Sequence, residues 1–168
     1  MIVNRISDVV IERGYKPGSI GRIVELHAAY YHHEWGFGLY FEAKVATELS
    51  EFLLRYDPER DGIWIATVKD GVEGAIVIDG FHAEDAGAHL RWFIVSDLLR
   101  GQGIGRRLLD RAVDFCSAQG YNRTYLWTFE GLHPARHLYE AAGFTLTEQR
   151  SGSSWGTEVT EQCFVRKG

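Results

Sequence analysis

The chain is predicted to fold as a single-domain α/β protein: a central mixed β-sheet flanked by helices on both faces. Three observations predict it. Apolar runs of period two and stripes of helical period follow one another in the order β-α-α-β-β-β-α-β-α-β-β, which mixes hairpins with crossover helices. A strand-like run, Leu90-Arg91-Trp92-Phe93-Ile94-Val95, leads through the glycine-rich Arg100-Gly101-Gln102-Gly103-Ile104-Gly105 directly into a helix-like run. The length of 168 residues, 45% hydrophobic and 24% charged, suits one domain with a sizeable core. No repeat, linker or low-complexity stretch divides residues 1–168.

The first strand is expected from Asp8 to Arg13, closed by Lys16-Pro17-Gly18. Ser19 is placed to cap a helix whose stripe is Ile20, Ile23, Val24, His27, Tyr30 and Tyr31, broken at Trp35-Gly36-Phe37-Gly38. A second helix carries Phe41, Val45, Leu49 and Phe52 and stops near Tyr56-Asp57-Pro58. The period then changes to two. Ile63–Val68 and Ala75–Ile78 read as a hairpin turning at Asp70-Gly71. A looser connection through Gly80 to Gly87 leads to the strand ending at Val95, in which Arg91 and Trp92 are expected on opposite faces. After the glycine loop, Ile104, Leu108, Leu109, Ala112, Val113, Phe115 and Cys116 form a buried stripe, and Gly120 follows the helix end. Arg123–Thr128 is the next strand. Pro134 opens a helix with Ala135, Leu138, Tyr139 and Ala142 inward, ended by Gly143. Phe144–Thr147 and Val159–Val165 complete the sheet.

Composition excludes several functions. The net charge is −5 with no long basic run, so nucleic acid is not an expected partner, and the acidity mildly favours a cationic or neutral acceptor. No apolar run approaches membrane-spanning length, and Met1–Arg5 has no apolar leader region, so a cytoplasmic location is expected. Cys116 and Cys163 lie far apart without metal-ligand or redox spacing and are expected to be buried thiols. The seven histidines form no ligand pattern, so no metal is expected.

The glycine loop is the most informative stretch. Strand, glycine turn and helix N-terminus make an anion site, because backbone N–H groups converge there and the helix dipole favours negative charge. A Walker A string is absent, and the dinucleotide fingerprint fails at Arg106, where it requires glycine. Arg-x-x-Gly-x-Gly remains. It resembles the pyrophosphate-binding loop of the GCN5-related N-acetyltransferases (GNAT). A second run, Ala135-Arg136-His137-Leu138-Tyr139-Glu140-Ala141-Ala142-Gly143-Phe144, resembles that family's A-x-x-L-Y-x-x-x-G-F signature. The likeness covers Ile63 to Phe144 strongly. Lys16–Gly21, His27-x-x-Tyr30-Tyr31-x-x-Glu34-Trp35-Gly36 and Phe41-Glu42 resemble a bacterial subgroup whose domains are often fused to MarR-type regulators. In that light the chain is expected to be the catalytic domain alone.

The resemblance implies acetyl-CoA (coenzyme A) as cofactor, a small-molecule amine or amino-acid-like acceptor, and a homodimer. It places the cofactor along Phe93, Ile94 and Val95, whose backbone meets the thioester carbonyl, and on Arg100, Gly101, Gln102, Gly103, Ile104, Gly105 and Arg106, with Arg107 beside them. Tyr139 stands at the position of the acid that protonates the departing thiolate, a task for which a phenol of pKa about 10 is suited. Leu132 departs from the pattern, since many members carry a cofactor-contacting asparagine there. For the base, Glu34 is preferred over His32 and His33, and His27 reads as a hydrogen-bonded core residue. His33, Trp35 and Arg91 are candidate acceptor contacts, Arg91 as the partner of a carboxylate or as a structural ion pair. Trp127, Trp155 and the loop Gly152 to Gly156 border the same region. A non-catalytic acyl-CoA sensor and a protein acetyltransferase are the alternative readings.

Overall fold

The computed structural model describes residues 8–168; the Met1–Arg5 segment, read above as carrying no leader, lies outside them. The order of elements is the one the sequence predicts: β1 (Val9–Arg13), α1 (Ser19–Trp35), α2 (Leu39–Leu54), β2 (Gly62–Val68), β3 (Gly71–Asp79), β4 (Ala88–Val95), α3 (Ile104–Gln119), β5 (Arg123–Phe129), α4 (His133–Ala141), β6 (Thr145–Gly152) and β7 (Val159–Lys167). The strands make one seven-stranded sheet in the order β1-β2-β3-β4-β5-β7-β6. Every neighbouring pair is antiparallel except β4–β5.

Helices cover both faces, which is why β2 and β3 are buried almost throughout rather than alternating with solvent. Ile63, Ile65, Ala75 and Val77 pack with Ile23, Leu49 and Phe52 of α1 and α2. Trp64, Ala66, Ile76 and Ile78 point the other way, onto Leu108, Ala112 and Phe115 of α3 and Tyr139 of α4. A third cluster, rich in aromatic rings, joins Phe37, Phe41 and Val45 to Phe129 and Leu132. It ties the α1–α2 corner to the end of β5.

Three local expectations are corrected. Ser19 is the first residue of α1 and not its cap; Gly18 caps, while the Ser19 hydroxyl donates to the Lys16 carbonyl at 2.6 Å and accepts from its N–H at 3.3 Å. The β2–β3 turn sits one residue earlier than Asp70-Gly71. Lys69 and Asp70 occupy it with φ of 48° and 66°, and Gly71 already pairs with Val68. Arg91 and Trp92 do not project to opposite faces. The register between β3 and β4 slips, with Ala75 opposite Ile94 and Val77 opposite Arg91, and Trp92 takes φ 45° at this bulge. The extra residue turns both side chains to the α1–α2 face, where the Arg91 guanidinium lies over the Trp92 ring at 4.0 Å.

The Lys69-Asp70 turn keeps two non-glycine residues at positive φ, the pattern that Asn-Gly satisfies best. Replacing the pair by Asn-Gly is expected to stabilise the fold by about 0.5–1 kcal/mol, read as a raised urea midpoint with unchanged slope. A lowered midpoint contradicts this account of the turn.

Candidate active site

β4 and β5 start as parallel neighbours and then part. Their register consists of Ala88↔Thr124 and His89↔Tyr125 only, although β4 runs on to Val95 and β5 to Phe129. Two cavities open around the gap. The outer one, of about 710 Å³, is lined by Phe93–Val95, by Arg100, Gly101 and Gly103–Arg106, and by Pro134, Ala135, His137 and Leu138 of α4. The inner one, of about 330 Å³, lies between β4, β5 and the helices α1 and α2, and reaches Tyr139. Tyr31, Phe93 and Leu132 border both. They form the neck between the two spaces.

The outer cavity has the chemistry of an anion cradle. Gly103 caps α3 at φ 76°, a backbone conformation that side chains with a Cβ rarely adopt. The helix closes its first hydrogen bond from the Arg107 N–H to the Gly103 carbonyl at 3.1 Å. The amides of Ile104, Gly105 and Arg106 precede that bond and have no intrahelical acceptor. No acidic residue stands in the first turn of α3 to offset its dipole, and Arg106 adds a positive charge to the same wall. Arg100 packs over the Tyr30 ring at 4.6 Å and pairs with Asp97. Of the residues placed at the cofactor from sequence, Gln102 and Arg107 are off this wall; the Gln102 carboxamide donates to the Leu98 carbonyl at 3.0 Å.

The inner cavity is aromatic and charged. Phe41, Trp92, Trp127, Phe129 and Trp155 form its walls. Arg91 reaches it from β4, held by Glu48 at 2.8 Å and Asp79 at 3.4 Å, and Lys44 pairs with the same Glu48 at 2.9 Å. Glu161, on β7, is buried and accepts from the Ser154 N–H at 2.9 Å and from Arg150 at 3.2 Å. Burial alone raises its pKa, but the Ser154 and Arg150 contacts outweigh that and hold Glu161 below the ordinary carboxylate range. Asp79 is likewise kept low, burial being overcome by Arg55, the Phe81 N–H and Arg91. Two histidines line the cavity. Burial drives His27 down to about 4, against the opposing bond from its Nδ1–H to the Ile23 carbonyl at 2.8 Å. Burial and the neighbouring Arg91 take His89 down to about 3.

Tyr139 is 7% exposed and packs against Phe93, Phe144 and Phe164. Burial, reinforced by Tyr31, raises its pKa well above the phenol range, so its hydroxyl keeps its proton. Glu34 is not brought to it. That carboxylate lines the outer cavity, half-exposed and 3.1 Å from His33 Nδ1. His33 is 85% exposed and borders neither space. Trp35 is a packing residue: its indole stacks edge-on against Phe129 at 4.9 Å and fills the space a Cβ on Gly131 would need. Cys116 and Cys163 are buried free thiols on neither wall, with pKa values raised by burial. Among the described residues no group of three or more His, Cys, Asp or Glu is placed to hold a metal, and no helix is long and apolar enough to cross a membrane.

Sequence reasoning passed over Tyr31, Lys44, Glu48 and Glu161. Tyr31 carried a weak signal, a hydroxyl on a mainly apolar stripe that it shares with His27 and Tyr30. Glu161 gave no such signal, because it stands between polar Thr160 and Gln162 in β7 and reads as a solvated edge position although it is buried.

The chain matches the model of the acetyltransferase (GNAT) family over residues 20–144. Human N-acetyltransferase 8 is 28% identical over 124 residues, covering 71% of this chain and 55% of that protein. The chain thus spans about half the length of that curated relative. Its fold is similar to an acetyltransferase of the GNAT family from Staphylococcus aureus, with TM-score 0.75, 18% identity, and 95% and 99% of the two chains covered. It is also similar to a Salmonella typhimurium protein solved with its cofactor acetyl-CoA, with TM-score 0.71, 17% identity, and 95% and 94% covered.

The buried histidines give the stability a pH dependence of known sign. His27 has a folded pKa of about 4 against an ordinary 6.5, so the unfolded chain takes up its proton first. Stability is complete above about pH 6.5 and is lost as pH falls toward about 4. His27→Phe is expected to remove roughly 2–3 kcal/mol of the loss between about pH 7 and about pH 4.5, read by urea unfolding at both values. An unchanged pH slope contradicts the assignment.

Proposed function

Because the chain belongs to the acetyltransferase (GNAT) family, we propose that it transfers the acetyl group of acetyl-CoA to the primary amine of a small, amino-acid-like acceptor. One observation carries this reading. A cradle for an anion and a chamber for an acceptor meet at a neck formed by Tyr31, Phe93 and Leu132, with Tyr139 on the inner side.

In this reading the amides of Ile104, Gly105 and Arg106, with the Arg106 and Arg100 side chains, hold the pyrophosphate of coenzyme A. The backbone of Phe93–Val95 lies along the β4 edge that β5 leaves open, and orients the thioester carbonyl. Acetyl-CoA supplies the activated acetyl group. Leu132 makes the neck apolar where many family members place an asparagine, so positioning falls to the backbone. Tyr139 keeps its proton at neutral pH and gives it to the leaving sulfur. Glu34, three residues after Tyr31 on α1, takes the acceptor's proton through water at the outer wall. Attack is direct, because both thiols are buried away from the cavities.

The inner charges support an acceptor that brings an anionic group. In a chain of net charge −5, the cations Lys44, Arg91 and Arg150 on that wall outnumber the carboxylates Glu48 and Glu161. The test is thiol release from acetyl-CoA across paired amines with and without an α-carboxylate. The carboxylated member of each pair is expected to turn over faster. Turnover confined to peptide amines, or acetyl-CoA binding without turnover on any acceptor, sinks the small-acceptor reading.

Tyr139→Phe is expected to preserve acetyl-CoA affinity and lower turnover by about ten-fold or more. Glu34→Gln is expected to lower kcat/KM at neutral pH and recover part of it as pH rises and the free amine fraction grows. Full activity in both variants removes these residues from the mechanism.

A further inference from the structure

Tyr31 is held more firmly than a cavity-lining residue needs to be. Its ring is packed by Tyr30 at 5.0 Å, Phe41 at 5.0 Å, Phe37 at 5.7 Å, Phe129 at 6.0 Å and the stacked His27 at 6.2 Å. The backbone beneath it is fixed too. The α1 helix ends with the Gly36 N–H on the His32 carbonyl at 2.9 Å and the Phe37 N–H on Tyr31's own carbonyl at 3.2 Å. Yet its hydroxyl has no hydrogen-bond partner among the described residues. Ser96 Oγ is the one side-chain polar atom there that is both sealed from solvent and unpaired, so the Tyr31 hydroxyl opens into the cavity space. Burial, with Tyr30 beside it and only partly offset by Arg100, raises its pKa, so the hydroxyl remains a donor.

For packing alone phenylalanine serves this position equally well, since the hydroxyl makes no hydrogen bond to the described residues. The hydroxyl's place supplies the reason to keep it. Tyr31 shares the neck with Phe93 and Leu132. Phe93 brings a backbone, and Leu132 brings no polar side-chain atom. Tyr31 is therefore the one side chain of the neck able to donate a hydrogen bond there.

We infer that Tyr31 is a second catalytic tyrosine, donating its hydroxyl proton in a hydrogen bond to the carbonyl oxygen of the acyl thioester. The inference rests on the acetyl-transfer reading above and adds a residue to it. The amine lone pair forms the new C–N bond while the carbonyl π pair moves onto oxygen, where the Tyr31 hydroxyl and the β4 backbone meet it. The pair returns as the C–S bond breaks. The sulfur takes the Tyr139 proton, and the amine's proton leaves through water to Glu34. Glu34 then releases its proton to water and Tyr139 takes one back, so the turnover converts amine and thioester to amide and thiol with no net proton change. Tyr31 and Tyr139 thus act on different atoms: one stabilises charge on oxygen, the other on sulfur.

The test is the infrared difference spectrum of acetyl-CoA labelled with carbon-13 at the carbonyl, bound to the full chain and to Tyr31→Phe. In the wild type the bound carbonyl stretch is expected below its free-solution position. In Tyr31→Phe it is expected to move back toward that position, with acetyl-CoA affinity and thermal midpoint preserved and kcat lowered about 100-fold. Incorporating 3,5-difluorotyrosine at position 31, a more acidic donor, is expected to push the stretch lower still, which keeps the test decisive if the phenylalanine variant folds poorly. A carbonyl band unmoved by both changes overturns the role of Tyr31, as does a variant whose only defect is a raised acceptor KM. A wild type with no bound band at all overturns the acetyl-CoA reading and this inference with it.

Discussion

The parting of β4 and β5 is the constraint on which the rest depends. A parallel pair inside a buried sheet normally satisfies its backbone groups along its whole length, since unpaired N–H and C=O groups away from water are costly. Here the pairing ends after His89 and Tyr125. The facing edges of Leu90–Val95 and Leu126–Phe129 are left to be met by something other than a strand. The gap has the sheet on two sides, β3 beyond β4 and β7 beyond β5, and these antiparallel neighbours hold each strand firmly while the middle stays open.

The surrounding features follow from keeping that gap open. The bulge at Trp92 bends β4 where it leaves β5 and sends Arg91 and Trp92 to one face, so that the cation is delivered into the inner cavity with an aromatic plate beneath it. Arg91 then needs Glu48 and Asp79, and Asp79 needs Arg55, because a half-buried guanidinium without partners is destabilising. The aromatic cluster of Tyr31, Phe37, Phe41 and Phe129 closes the far side.

Much of this was legible in the residues. The hairpin, the glycine loop and the two crossover helices all carry local signals, glycine and proline punctuation and clear periods, which propensity and patterning encode directly. The α3 cradle was legible for the same reason: it is local. The inner cavity was not, because its charged residues come from α2, β4, β6 and β7 and meet only in three dimensions. The bulge hid as well. Nothing in Leu90-Arg91-Trp92-Phe93 announces a slip of register, so strict alternation put Arg91 and Trp92 on opposite faces. Tyr31 was legible as a packed residue of the α1 stripe, and only its unpartnered hydroxyl needed three dimensions to be seen. Glu34 looked close to the chemistry in sequence and lies on the outer wall in space.

The central claim is that the open edge of β4 and the N-terminus of α3 form one binding surface for acetyl-CoA. Residue-resolved amide hydrogen exchange, with and without acetyl-CoA, tests it most directly. The account predicts new protection confined to two groups of amides: Ile104, Gly105 and Arg106, and those of Phe93–Val95 that face β5. Protection of the helix N-terminus without the strand, or of neither, contradicts it.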